Sequence, residues 1–265
     1  MAYSTLFVPH GGGPLPLLGH KPHQSLTAFL RGVGRDLIQP SAIVVVTAHW
    51  ETRDIEVSTA PAPDMLYDYY GFPPESYEIR YPAPGAPALA ETLIQSLNDA
   101  GIPAKANPTR GYDHGTFVPL MLMYPDADIP VLQVSLNANL DPGYHLAYGE
   151  ALGKALPADV LILGSGLSFH NLRSQFANID REGTATAESI EFDQWLTDSL
   201  AKPSEQAFAA MSDWVKAPHA RFCHPREEHL LPLHVIAGAA TARGQTLGNI
   251  YNAPLMGHQV SAFAS

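Results

Sequence analysis

The run Ala42-Ile43-Val44-Val45-Val46-Thr47-Ala48 is apolar at consecutive rather than alternate positions. A strand with that pattern is buried on both faces, which calls for a mostly parallel sheet with helices on either side. The run ends at His49. Ser4-Thr5-Leu6-Phe7-Val8-Pro9 likewise runs into His10, and Asp159-Val160-Leu161-Ile162-Leu163-Gly164-Ser165-Gly166 leads to His170. In open α/β sheets ligands bind outside the carboxyl ends of the strands. Three strands that deliver histidines to that edge therefore point to one shared site. Neutral imidazole is the commonest protein metal ligand, so a mononuclear metal centre is the first expectation.

A chain of 265 residues with 46% apolar composition can bury a sizeable core. Its alternation of strands and helices favours one α/β domain over 1–265. The net charge of −11 and the lack of any lysine–arginine run argue against nucleic acid and against an anionic membrane surface. Cys223 is the only cysteine, which rules out an intrachain disulfide and suits a reducing cytosol. The start, Met1-Ala2-Tyr3-Ser4, has no basic segment running into an apolar one, so no signal peptide is expected. No apolar run approaches the ~20 residues of a membrane span. A cytoplasmic protein is expected.

Periodicity predicts helices over 23–36, 87–99, 142–156 and 185–201, and a further buried strand over 130–136. The segment 227–242 is apolar almost all round and reads as a buried helix, with Pro232 either kinking it or marking its first turn. Residues 60–87 are rich in proline and carry Tyr67, Tyr69, Tyr70, Phe72, Tyr77 and Tyr81. Loops this long are usually functional. The aromatics would either wall the site or simply pack the loop onto the domain.

Of the twelve histidines, His20, His23, His145, His219 and His258 lie in polar surroundings and are expected at the surface. His234 reads as a satisfied core residue, and His224 as a loop residue or substrate contact. His10, His49 and His170 stand out because strand ends gather them. His114 lies between glycine turns beside Asp113, an acid able to orient an imidazole. His229 opens the apolar helix. Five candidates exceed the needs of one tetrahedral site, so some are expected to do acid–base work. Neither a His-Glu-x-x-His pair, nor Cys-x-x-Cys, nor a Gly-x-Ser-x-Gly elbow, nor a phosphate-binding glycine loop occurs in the sequence.

Seven stretches spread over the chain carry a resemblance. They are Pro9-His10-Gly11-Gly12, Thr47-Ala48-His49-Trp50, Tyr81-Pro82-Ala83-Pro84-Gly85-Ala86-Pro87, Gly111-Tyr112-Asp113-His114-Gly115, Met123-Tyr124-Pro125-Asp126-Ala127-Asp128-Ile129-Pro130, Gly164-Ser165-Gly166 through His170-Asn171-Leu172, and His224-Pro225-Arg226-Glu227-Glu228-His229-Leu230-Leu231-Pro232-Leu233. Together they resemble the class III (LigB-type) extradiol ring-cleavage dioxygenases, in particular the DOPA 4,5-extradiol group. The resemblance implies a single-domain three-layer α/β sandwich with a mostly parallel central sheet. It also implies a non-haem Fe(II) site that opens a catechol ring with O2 to a semialdehyde. By the same resemblance His10, His49 and His229 are the metal ligands. His170 is the acid–base residue and a candidate fourth contact, and His114 lines the pocket.

The wider family places a glutamate where this chain has His229, with Glu228 beside it. The ligand set thus departs from two histidines and a carboxylate, and Zn(II) enters as a second candidate metal. Gly11, Tyr112, Asp113, Arg173 and Arg226 are candidate substrate contacts, and an arginine fork, from these or from Arg80, suits a substrate carboxylate. The expected partners are a small catechol (DOPA-, caffeate- or protocatechuate-like) and O2, and a homo-oligomer is left open. The competing readings are a zinc hydrolase and a non-catalytic metal-binding protein on the same scaffold.

Overall fold

The computed structural model describes residues 3–265. Met1 and Ala2, on which the reading of the chain's start partly rests, lie outside the described residues. The strands are β1 (Thr5–Pro9), β2 (Ala42–Thr52), β3 (Ile55–Ser58), β4 (Ala104–Asn107), β5 (Val131–Asn137), β6 (Val160–Gly166), β7 (Gly248–Leu255) and β8 (His258–Ala264). The helices are α1 (Gln24–Asp36), α2 (Pro87–Asp99), α3 (His114–Met123), α4 (Pro142–Ala155), α5 (Leu172–Ala177), α6 (Ala187–Leu200), α7 (Ser204–Ser212), α8 (Ala220–Cys223) and α9 (Leu231–Ala242). All eight strands form one sheet in the order β4-β3-β5-β2-β6-β1-β8-β7. Its centre, β5-β2-β6-β1, is parallel throughout. The hairpin β7–β8 adds antiparallel to β1, and β3 adds antiparallel to β5.

Both faces of the sheet are covered, as the continuous apolar run in β2 requires. Successive residues of β6 show this directly, because side chains alternate between faces. A Cβ on Gly164 would fall 2.9 Å from Pro232 O, and one on Gly166 would fall 2.2 Å from His229 O. Gly164 and Gly166 therefore face α9 and the turn before it. Ser165, between them, instead donates its hydroxyl to Gly115 O at the start of α3. Outside this layer, α4 packs on α9 with backbones almost touching, since a Cβ on Gly149 would lie 2.0 Å from Val235 O. Gly149→Ala should accordingly destabilise the fold by roughly 1–3 kcal/mol or more. A melting temperature equal to wild type would show that the two helices can separate freely.

The predicted fold and most predicted elements match the structure. The helix expected from 227 starts only at Leu231, with Pro232 in its first turn, so His229 lies in the preceding turn and does not open a helix. Proline lacks an N–H and belongs where helical donors are unpaired anyway. Three histidines expected at the surface are fully buried: His23, His145 and His258. Each is held by hydrogen bonds instead. His23 Nε2 accepts the Gly12 N–H at 3.0 Å, His145 Nε2 accepts the Asn137 N–H at 3.1 Å, and His258 lies 3.0 Å from Ser174 Oγ. His224 is buried too and donates to Ser168 O at 2.9 Å. His234 is the core residue expected, bonded to Met211 O at 2.9 Å. No helix among the described residues is long and apolar enough to cross a membrane.

Candidate metal centre

The carboxyl ends of β1, β2 and β6 supply the floor of the site. Pro9 pairs with Gly166 and Thr47 with Ser165, so β1 and β6 end level with the point where β2, which runs on to Thr52, stops pairing with β6. His10 follows β1 directly. His49 comes from an irregular part of β2, where the register with β5 shifts between Val46 and Glu51. A bulge of this kind re-aims side chains, and here it turns His49 toward His10. The two Nε2 atoms lie 3.1 Å apart.

Three more imidazoles close around this pair. His114, at the start of α3, has its ring centroid 3.9 Å from that of His49 and 5.2 Å from that of His10. His229 stands 5.2 Å from His10 and 4.9 Å from His49 by the same measure. His170 stacks on His229 with centroids 3.4 Å apart. The sequence thus named five histidines on five separate segments, and the fold brings all five together. Donor atoms within 4.8 Å of one another form two groups, His10-His49-His114 and His170-Glu228-His229.

The second nitrogen of each ring has an oxygen partner. His10 Nδ1 lies 3.1 Å from Ser165 Oγ, whose own proton goes to Gly115 O. His10 must then donate at Nδ1, which leaves a lone pair on Nε2. His114 Nδ1 is 2.8 Å from Asp68 Oδ1, and His49 Nδ1 is 3.5 Å from Asp68 Oδ2. Glu228 Oε1 takes His229 Nδ1 at 2.9 Å and His170 Nδ1 at 3.1 Å. Burial, reinforced by the neighbouring imidazoles, pushes His10 and His49 well below the ordinary histidine range. His229 is pushed down to about 3, chiefly by burial. Burial opposes the charge of Glu228, but hydrogen bonds from His170 and His229 outweigh it and hold the carboxyl well below its usual range.

These groups fit a bound cation. His10 offers its Nε2 lone pair to His49 Nε2 at 3.1 Å, and with His49 Nδ1 turned toward Asp68 Oδ2 at 3.5 Å both Nε2 atoms are placed to converge on one ion. Adjacent nitrogens ligating one ion at about 2.1 Å are themselves about 3 Å apart. Each ring is backed by an acceptor, as metal-binding imidazoles almost always are.

The other expected contacts sit differently. Asp113 does not hold the His114 ring. It caps α3 through the Thr116 N–H, accepts from Thr47 Oγ1 at 2.9 Å and pairs with Arg110 at 2.7 Å. The acid on His114 is Asp68, which sequence reasoning missed because it lies 46 residues away in the tyrosine-rich segment. Tyr112 is fully buried, with its hydroxyl on Ala83 O and Val131 O. Gly11 adopts a positive φ of 84° and packs against His23 and Pro16. Arg173 is exposed on α5, and Arg80 is exposed with its guanidinium over the Tyr67 ring. Arg226 forks onto Glu51 at 2.6 Å twice and reaches Glu228 Oε2 at 3.2 Å. Most aromatics of segment 60–87 pack on one another, Tyr69 meets His114 edge-on at 5.9 Å, and Tyr70 stays 91% exposed.

So many buried neutral histidines make the fold acid-sensitive. Burial holds His23 and His224 at about 3 and His145 at about 4, whereas unfolded histidine titrates near 6.5. Below pH of about 6.5 the unfolded chain binds protons that the folded chain refuses, so stability falls as pH falls. From pH 7 to pH 5 each such residue costs on the order of 1–2 kcal/mol. The melting temperature of the metal-free protein should drop steeply over that interval, and a flat profile would contradict these buried neutral states.

Comparison with known proteins gives a consistent result. The family described as the catalytic LigB subunit of aromatic ring-opening dioxygenase matches residues 5–264. A dioxygenase of Hapsidospora irregularis, tasH, is 41% identical over 87% of this chain and 76% of its own length. The 4,5-DOPA dioxygenase extradiol of Beta vulgaris is 35% identical over 98% of this chain and 96% of its own, and that of Escherichia coli is 33% identical over 89% and 84%. Among solved structures, an uncharacterized protein of Escherichia coli K12 superposes with a TM-score of 0.78 at 28% identity, covering 98% of both chains.

Proposed function

The chain belongs to the LigB family of aromatic ring-opening dioxygenases, and from that premise we propose an Fe(II)-dependent enzyme that opens a catechol bearing a short carboxylate chain. Its ligands in this reading are His10, His49 and His229. The observation that carries it is the approach of His10 Nε2 and His49 Nε2 to 3.1 Å, with three further imidazoles around them. Iron held there would supply Lewis acidity and a redox path between a singlet ring and triplet O2.

The remaining residues manage protons. With Nδ1 tied to Glu228, His170 presents the Nε2 lone pair and takes a catechol hydroxyl proton, then returns it when the ring opens. His114, tied at Nδ1 to Asp68, also begins as an acceptor at Nε2 and becomes a donor only after taking a proton. It then stabilises negative charge as it develops on oxygen. The relatives named for 4,5-DOPA favour a DOPA-like substrate. Arg173, exposed on α5 three residues after His170, is proposed to meet the carboxylate. The lone buried thiol, Cys223, suits work in the cytoplasm.

The all-nitrogen set equally suits zinc, and the clustering of His114 with His10 and His49 makes it the rival third donor. The deciding experiment is O2 uptake by protein reconstituted anaerobically with Fe(II) and given L-DOPA, caffeate or protocatechuate, with the spectrum followed for a yellow semialdehyde. Uptake with a yellow product supports ring cleavage and ranks the substrates. Absence of uptake at verified iron content moves the assignment to a zinc hydrolase or a non-catalytic protein.

A further inference from the structure

Four of the five clustered imidazoles depend on only two carboxylates. Asp68 faces His114 Nδ1 with one oxygen and His49 Nδ1 with the other. Glu228 Oε1 serves His229 and His170 together. Under the ligand set proposed above, on which this inference rests, each acid therefore serves one metal-binding ring and one proton-transferring ring.

Neither carboxylate is free to swing. Asp68 Oδ1 also accepts the His114 backbone N–H at 3.0 Å. The second oxygen of Glu228 is held by Arg226 at 3.2 Å. Arg226 is itself forked onto Glu51, two residues beyond His49 on β2. A chain of charge thus runs from the strand that carries His49 to the turn that carries His229. Since an ionised carboxylate only accepts, each ring bonded to one must carry its proton on Nδ1 and offer its lone pair at Nε2. Both oxygens of Glu228 are occupied, one by the Nδ1 atoms of His170 and His229 and the other by Arg226.

We infer that Asp68 and Glu228 are a pair of positioning residues, each fixing the tautomer and direction of one ligand imidazole and one acid–base imidazole, with Arg226 anchored on Glu51 to keep Glu228 behind its rings and off the metal. Arg226 is in consequence a support for the site and is withheld from the substrate carboxylate. Asp68 also ties the seating of the tyrosine-rich segment to the order of the metal site.

The test reads tautomers and metal affinity rather than turnover. In metal-free protein labelled with 15N-histidine, His114, His170 and His229 should appear as Nδ1–H tautomers. Glu228→Ala should release His170 and His229 while leaving His114 unchanged, and Asp68→Ala should do the reverse. In either variant the Zn(II) dissociation constant from chelator competition should rise about 10–100-fold. Arg226→Met alters a half-exposed side chain and should fold, with the affinity and the His170 and His229 signals moving in the same direction by less. Unchanged tautomers and affinity in Glu228→Ala overturn the inference. So does complete loss of Zn(II) equal to that in His229→Ala, which would make Glu228 a ligand. A wild-type chain that binds no Zn(II) defeats the ligand set, and the tautomer pattern then still decides whether the two acids position the rings.

Discussion

His170→Ala should keep its metal and lose about 10²–10⁴-fold in kcat, the usual contribution of one acid–base group. The ring lies over His229 at 3.4 Å and is held from behind by Glu228, while its backbone N–H is fastened to Cys223 O at 3.0 Å. Its removal deletes the base but leaves His10, His49 and His229 with their own supports at Ser165, Asp68 and Glu228. Metal content and turnover should therefore separate. Loss of metal together with activity would instead make His170 a fourth ligand, and unchanged kcat would remove it from the reaction. His114→Ala should show the same separation if His229 is the third donor.

His49→Ala should lose stoichiometric metal and with it all activity above background. The remaining pair, His10 and His229, has ring centroids 5.2 Å apart, and two neutral donors fall short of the three protein ligands usual at catalytic sites. Truncation also strips Asp68 of one of its partners. The measurement is metal per chain after reconstitution and desalting. Retention of a full equivalent in His49→Ala would show that the facing Nε2 atoms are only a histidine–histidine contact. His229→Ala serves as the companion, since full retention there shifts the third position to His114 or Glu228.

The substrate side of the site depends on how charges are already paired. Among the described residues three of the ten arginines, Arg110, Arg221 and Arg226, pair with carboxylates, and the fork of Arg226 on Glu51 engages both oxygens at 2.6 Å. A substrate carboxylate would have to displace an existing bidentate pair there. Arg173, exposed on α5, is the contact proposed above, and varying it tests substrate preference without breaking that pair. The charge inventory of the sequence lists both residues alike, and only their neighbours separate them.

The parallel, doubly covered sheet and its histidine-bearing edge were legible in the chain alone, because a strand buried on both faces must be apolar at every position and Ala42–Ala48 is so. His10, His49, His170 and His114 were legible for a related reason, since strand ends and glycine turns announce where a chain leaves the sheet, whereas His229 was marked by a helix start that the structure moves to Leu231. Tertiary structure alone decided which partner each histidine meets. Buried His23, His145 and His258 look polar in sequence, yet the fold satisfies them with backbone groups and hydroxyls that no local pattern reveals. Likewise Asp113, adjacent to His114, caps a helix, whereas distant Asp68 holds the ring. Hydrophobic periodicity is a local property that records which face is buried. A hydrogen bond between side chains is set by distances across the fold, and those exist only once the sheet has brought its loops to one edge.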